Sequence, residues 1–391
     1  MNTHPSLKSP LNFEKTVPPE SVGLSSEGIE RLVTLFHQQI EQGLHPGAQL
    51  VVLRHGNVVV DLAEGLMNLR HRMPVMPTTP FLTFSVSKPF TAACIFRLID
   101  KGKVEWDAPI ATYWPEFGCK GKEKATIRQI LVHQAGIPGA DSVRHVLRQI
   151  PLWPDWNRIT RHVANLSAEY PPGFQTAYHQ LNFGFVLGEV VRRVNGKPIE
   201  TYLKETFLQP MGLQFTSFGM LPQLVFTSAR LYPRHPQERM AAYLFNMNFV
   251  RSAVMPAATL HSTARELSIF FQMLLNGGQY AGVRYLEPKT IEAATELGYE
   301  GYDPALEHDI RWAYGFELGG LPPKDERPGS GMGKGSTLQT FGHFGKSTCM
   351  VWADRKAQLV VAFTCNGLLY DVDNTHRWKA LSDAVWEAIV E

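Results

Sequence analysis

The chain has 391 residues, 44% hydrophobic and 19% charged, with 38 Lys+Arg against 36 Asp+Glu and a formal net charge of +2. At about 150 residues per domain this is two to three domains' worth of chain, ample for a buried core without disulfide or metal staples, and the composition excludes disorder, coiled coil and collagen. The charge is nearly balanced and unclustered, and no apolar run approaches the eighteen or so residues of a membrane span, so neither nucleic acid nor a membrane is expected as a partner.

The first residues, MNTHPSLKSPLNFEKTVPPESVG, hold no apolar segment after Met1, which predicts a cytoplasmic protein. From Leu24, apolar residues at Ile29, Leu32, Val33, Leu35 and Phe36 recur at helical spacing, opened by Ser25 or Ser26 and closed near Gly43. AQLVVLRHGNVVVDLAEG then places two β-rich runs around His55-Gly56-Asn57, the signature of a hairpin. From about Thr83 to about Leu297 helical patterns dominate, broken by loops such as WPDWN, YPPGFQ and QPMGL.

A polar Gly/Pro-rich loop begins at Leu321. After it, KSTCMVWAD and QLVVAFTCN read as strands joined by a turn at Arg355-Lys356-Ala357, and a last amphipathic helix is expected from His376 to Val390. An isolated hairpin is only marginally stable, so strands at both chain ends most economically join one sheet. The fold expected is α/β (α+β): an antiparallel sheet flanked by helices, built from 1–82 and 312–391 as one discontinuous domain, with 83–311 inserted as a mostly helical domain.

Three segments could carry chemistry. In FLTFSVSKPFTAACIFRLIDKGKV a helix is expected to start at or beside Ser85 and end near Gly102, with Pro89 in its first turn. Ser85 and Lys88 then share one face, one turn apart. A serine hydroxyl needs a neighbouring base, which a desolvated lysine amine can be, and a helix N-terminus adds N–H groups where an oxyanion forms. The plain alternative is a helix cap beside a solvated lysine. Tyr178-His179-Gln180 follows the YPPGFQTA loop and precedes a helix ending at Asn195-Gly196, so the Tyr178 phenol can project into a cleft or serve as a core aromatic.

Gly342-His343-Phe344-Gly345 enters the strand KSTCMVW, where flanking glycines permit close backbone approach to a ligand. GHFGKST imitates a phosphate-binding loop but lacks its first glycine, Thr340 standing there, and precedes a strand rather than a helix. His45, His55, His133 and His261 have no ligand-spaced partners and read as structural or exposed. Cys94, Cys119, Cys349 and Cys365 show no C-x-x-C pair and read as reduced core thiols. No metal or other cofactor is expected, and the absence of G-x-S-x-G gives no support to an α/β-hydrolase triad.

Taken in order, Ser85-x-x-Lys88, TIRQILVHQAGIPG, YPPGFQTAYHQLNFGFVLGEVV, STARELSIFFQMLLNGG and FGHFGKSTCMVWADRKAQLVVAFTCN resemble the β-lactamase-related serine hydrolases. These comprise class C β-lactamases, penicillin-binding DD-peptidases, family VIII carboxylesterases and acyltransferases of similar fold. The resemblance implies that Ser85 attacks a carbonyl and becomes acylated, and that Lys88 and Tyr178 share the general-base and general-acid work. It implies an oxyanion hole from the backbone N–H groups of Ser85 and Lys346, with Gln180, His343, Phe344 and Gly345 lining the substrate. Ser85 would lie where the sheet domain meets the helical one.

Two departures bear on substrate. His343-Phe344-Gly345 stands where β-lactamases and DD-peptidases usually have Lys-Thr-Gly, whose lysine helps bind a substrate carboxylate, and Gln180 stands where an asparagine is common. The expected substrate is therefore an uncharged small-molecule ester rather than a penicillin or peptide amide, with Lys346 bringing some positive charge nearby and His343 shaping the pocket and donating one hydrogen bond. The expected function is a carboxylesterase on small or medium acyl esters. A β-lactamase, a DD-peptidase or an acyltransferase of the same fold are the enzyme alternatives. A sensor that is acylated and stalls is the non-enzyme one.

Overall fold

The computed structural model describes residues 10–139, 149–320 and 331–390. Of the loop expected from Leu321, residues 321–330 lie outside the described residues. The Ser25 side chain accepts from Gly28 N–H and opens helix α1 (Ser26–Glu41), which buries Ile29, Leu32 and Phe36. Strands β1 (Gly47–Arg54) and β2 (Asn57–Asn68) form the expected hairpin, and β3 (Met73–Pro74) pairs with β2. His55 and Gly56 both take positive φ, 50° and 72°, as the twist of a two-residue hairpin demands.

Helix α2 (Ser87–Asp100) is buried almost all round, and α3 (Asn182–Asn195) packs on it. Thr263 caps α4 (Ala264–Leu275), whose Phe270 stacks on Phe90 of α2 at 3.9 Å. Strands β4 (Tyr299–Asp303), β5 (His308–Trp312), β6 (Glu317–Leu318), β7 (Thr340–Gly345), β8 (Cys349–Asp354) and β9 (Leu359–Cys365) follow, then helix α5 (Asp371–Glu387).

These strands make one sheet in the order β4-β5-β6-β7-β8-β9-β1-β2-β3, antiparallel at every pairing. The hydrogen-bonded contact of β1 with β9 joins the two chain ends, with Leu50 opposite Phe363 and Val52 opposite Val361. Alternate residues of the central strands enter two separate cores. Leu50, Val52, Trp352 and Phe363 meet α1 and α5 on one face; Val51, Leu53, Val351 and Ala362 meet the helical layer of α2, α3 and α4 on the other. The terminal helices pack on each other, and Ser25 N–H donates to the Ala388 carbonyl.

Several boundaries differ from expectation. The C-terminal run of strands begins at Tyr299, inside the 83–311 span expected to form the helical domain, because β4 and β5 form a hairpin at the edge of the sheet. Helix α5 starts earlier and stops earlier than the expected His376 to Val390. Within the helical layer, Leu260–Ser262 pairs with both Phe81–Leu82 and Ser217–Phe218, a small second sheet under the start of α2. Among the described residues no helix is long and apolar enough to cross a membrane.

Candidate active site

The site is built on a strained turn. Phe84 holds φ at 43°, a region that a bulky residue occupies only when its surroundings compel it. Its neighbours do so: Phe84 forms a β-bridge with Thr259, its ring meets Phe245 edge-on at 4.8 Å, and its carbonyl accepts from the Ser87 hydroxyl. The sharp turn leaves Ser85 half-buried, two residues before α2 starts rather than inside it. Lys88 therefore occupies the first turn and reaches back, its Nζ 3.2 Å from Ser85 Oγ.

Nearby serines are occupied elsewhere. Ser87 Oγ also accepts from Leu260 N–H at 2.9 Å, and Ser347 Oγ donates to the Leu369 carbonyl at 2.7 Å.

Lys88 is fully buried. Its Nζ lies 2.7 Å from Tyr178 Oη and donates to the carbonyls of Gln180 at 3.0 Å and Ala257 at 3.4 Å. No carboxylate pairs with it among the described residues, and burial pushes its pKa well below the ordinary lysine value. Desolvation penalises the ammonium, so this amine gives up its proton more readily than an exposed lysine does. The Tyr178 phenol is shifted the opposite way: burial raises its pKa, with a smaller opposing effect of a hydrogen bond to Ser85. The phenol thus keeps its proton next to an amine that readily lacks one.

Tyr178 is held from behind. Its N–H donates to Asp303 Oδ1 at 3.1 Å, while Trp312 Nε1 donates to Asp303 Oδ2 at 3.2 Å. The Tyr178 and Trp312 rings lie parallel, 5.4 Å apart. One buried carboxylate therefore fixes both the backbone of the tyrosine and the ring it stacks on. His133 meets Tyr178 edge-on at 4.8 Å, and its Nδ1 accepts from His179 N–H. Burial keeps that imidazole neutral.

The expected substrate-lining residues divide. His343 faces this cluster, its ring 6.4 Å from Tyr178 and 5.9 Å from Trp312. Its Nδ1 lies 2.9 Å from the Phe344 carbonyl, which can only accept, so Nδ1 carries the proton and Nε2 presents a lone pair. Nε2 is buried without a partner among the described residues, and burial, with the nearby Lys88, lowers the pKa to about 3. His343 is thus arranged to accept a hydrogen bond, where a donor was expected.

Phe344 points the other way. Its ring stacks on Trp378 of α5 at 4.9 Å, in the core beneath the opposite face, because successive residues of a strand alternate sides. It does not join the Ser85 cluster.

Gly345 lies so close to the Thr83 carbonyl that any Cβ would collide with it, and Thr348 Oγ1 donates to the Leu82 carbonyl at 2.8 Å. These contacts clamp the end of β7, and with it the Lys346 backbone, against the segment leading to Ser85. The Lys346 side chain pairs with Glu238 at 3.0 Å. Gln180 contributes its carbonyl to Lys88, while its side chain is exposed. Of the histidines read as structural or exposed, His55 is exposed and His45, His133 and His261 are buried. The four cysteines are free, Cys119 half-buried and the others buried.

Asp303, Trp312 and the position of His133 beside Tyr178 had no signal in the sequence, since each acts through a contact across the fold.

The family described as Beta-lactamase matches residues 32–385. The chain is 27% identical over 358 residues to the Esterase/beta-lactamase LipL of Mycobacterium tuberculosis, covering 83% of this chain and 77% of that one. Among solved structures it resembles a family VIII carboxylesterase, with TM-score 0.79, 26% identity and coverage of 94% and 99% of the two chains. It also resembles a penicillin-binding protein homologue from Caulobacter crescentus, with TM-score 0.78, 27% identity and the same coverage.

Proposed function

The chain belongs to the beta-lactamase family, and from that premise we propose that it is a serine hydrolase working through an acyl-enzyme, a carboxylesterase on small or medium uncharged acyl esters. The observation that carries this reading is Lys88: a buried amine without a counter-ion among the described residues, 3.2 Å from Ser85 Oγ and 2.7 Å from Tyr178 Oη.

In this reading neutral Lys88 accepts the Ser85 proton as Oγ bonds to the ester carbonyl carbon. The N–H groups of Ser85 and Lys346 stabilise the oxyanion. As the tetrahedral intermediate collapses, the C–O bond to the alcohol breaks, and Tyr178 donates its proton to the leaving oxygen while taking one from Lys88. Water then attacks the acyl-enzyme, giving up a proton to the same pair and releasing the acid and the Ser85 hydroxyl.

The ester preference is supported by charge. His343 is neutral where related β-lactamases and DD-peptidases carry a lysine, and Lys346 is already paired. The name of LipL carries both esterase and beta-lactamase, and the solved neighbour is a family VIII carboxylesterase, so esterase is the activity the two names share. Gly345 and His343 serve as the site wall, with the Gln180 carbonyl holding Lys88. We also propose action in a reducing compartment such as the cytoplasm, which the four free cysteines support.

Intact-mass spectrometry after mixing with p-nitrophenyl butyrate, a penicillin and a fluorophosphonate tests the reading. Expected are a stable fluorophosphonate adduct, a butyryl adduct that decays with product release, and slower acylation by the penicillin. Faster turnover of the penicillin than of every short-chain ester would replace the esterase by a β-lactamase. A persistent adduct with every substrate would replace it by a sensor.

A further inference from the structure

Two walls flank the Ser85 segment, and a charge pair joins them. One is the end of β7, pressed against Thr83 through Gly345. The other is the helix Arg239–Phe245, whose Phe245 packs on Phe84 in a small core with Leu82, Leu231, Ala242 and Leu368. Lys346 is the first residue after β7, and Glu238 is the residue immediately before that helix. Lys346 Nζ meets Glu238 Oε1 at 3.0 Å.

The partners are unequal. The Lys346 side chain is 39% exposed, whereas that of Glu238 is 8% exposed, and Glu238 Oε2 is buried with no hydrogen-bond partner among the described residues. A carboxylate fixed in the wall beside a lysine that reaches it from solvent makes that lysine a poor receptor for a second carboxylate. An incoming anion must compete with Glu238 for the ammonium and meets repulsion from the same carboxylate.

We propose that Glu238 sets the charge preference of the acyl site: by holding Lys346 it denies a substrate carboxylate its cation, so the enzyme takes uncharged acyl groups and discriminates against acyl groups that carry a carboxylate. This rests on the reading of Ser85 as the acylated nucleophile. It assigns specificity to a helix flank distant in sequence from both Ser85 and His343, and it gives Lys346 a side-chain role separate from its backbone N–H.

The test compares p-nitrophenyl butyrate with mono-p-nitrophenyl glutarate, which share a leaving group and differ in a terminal carboxylate. The ratio of kcat/KM for the anionic over the neutral ester is measured for wild type, Glu238→Gln, Lys346→Met and the double variant. Glu238→Gln should raise the ratio about fivefold to tenfold, with the gain shrinking at high salt, as expected for freeing a half-exposed cation. Lys346→Met should lower the ratio, because the Glu238 charge then stands uncompensated, and it keeps the test open if Glu238→Gln folds poorly.

The double variant should lose the gain of Glu238→Gln. A ratio unmoved by either single substitution, or a gain that survives in the double variant, would overturn the role of Glu238 while leaving the esterase reading intact. Failure of wild type to release nitrophenol from either ester strikes at the esterase reading instead, and at this inference with it.

Discussion

His343 and Phe344 are neighbours on β7 and look in opposite directions, and the two faces they enter obey different rules. On the His343 side lie Lys88, Tyr178, His133 and Trp312, a buried group in which, among the described residues, Lys88 lacks a counter-ion and Nε2 of both His133 and His343 lacks a partner. On the Phe344 side rings pack on rings: Phe344 on Trp378, and Trp352 parallel to Trp386 at 5.2 Å. Trp352 Nε1 completes its hydrogen bonding at Ser382.

Burying polar atoms without partners costs stability. The Phe344 side bears some of that cost too, since Trp378 Nε1 and Gln39 Oε1 are buried without a partner among the described residues, but it does not gather an amine, a phenol and imidazoles beside a serine. The same strand thus turns His343 toward the chemistry and Phe344 toward the packing of the opposite core, while Phe341 on the His343 side packs against Phe271 and Phe316.

The largest effect expected belongs to Ser85. Ser85→Ala should abolish fluorophosphonate labelling and lower kcat on p-nitrophenyl butyrate by on the order of 10³ or more, with the melting temperature nearly unchanged. A labelled peptide containing Ser87, Ser336 or Ser347 would move the nucleophile elsewhere.

Trp352→Ala probes the opposite face. It removes a fully buried ring and its stacking on Trp386, so urea unfolding should show a loss of about 3–5 kcal/mol, while kcat/KM of the folded enzyme changes little. A large kinetic effect without loss of stability would erase the distinction between the faces.

His343→Ala lies between the two. The proton route runs through Lys88 and Tyr178, so losing the Nε2 acceptor should cost about tenfold to a hundredfold in kcat/KM and leave single-turnover acylation measurable. Inactivity equal to that of Ser85→Ala in a folded variant would route the proton through the imidazole.

The smallest effect is a slope. An unfolded lysine keeps its proton up to about pH 10, whereas folded Lys88 has a lowered pKa, so above that lowered value the unfolded chain binds more protons and folding is favoured as pH rises. Between that lowered value and pH 10, wild type should gain stability over Lys88→Met by up to about 1.4 kcal/mol per pH unit. Denaturation of both proteins at two pH values reads the difference, and a flat or reversed difference would mean that Lys88 is charged in the folded protein.

Local patterns carried much of this protein. The caps and apolar spacing of α1, the His55-Gly56 turn, the strand runs at both chain ends and the one-turn spacing of Ser85 and Lys88 are short-range properties, legible because a helix or hairpin is dictated by residues a few positions apart. The resemblance of the motifs in order added Tyr178, at a separation no periodicity spans.

What only the tertiary structure decided is which of these groups lose water and which way they face. The depressed basicity of Lys88 comes from burial under α3 and the Ala257 carbonyl, not from its neighbours in sequence. The parting of Phe344 from His343 depends on the register of β7 against β8, and the positioning of Tyr178 by Asp303 and Trp312 on a hairpin more than a hundred residues away along the chain. Desolvation, register and long-range hydrogen bonds belong to the packed chain, because each is a relation between segments that sequence distance does not encode.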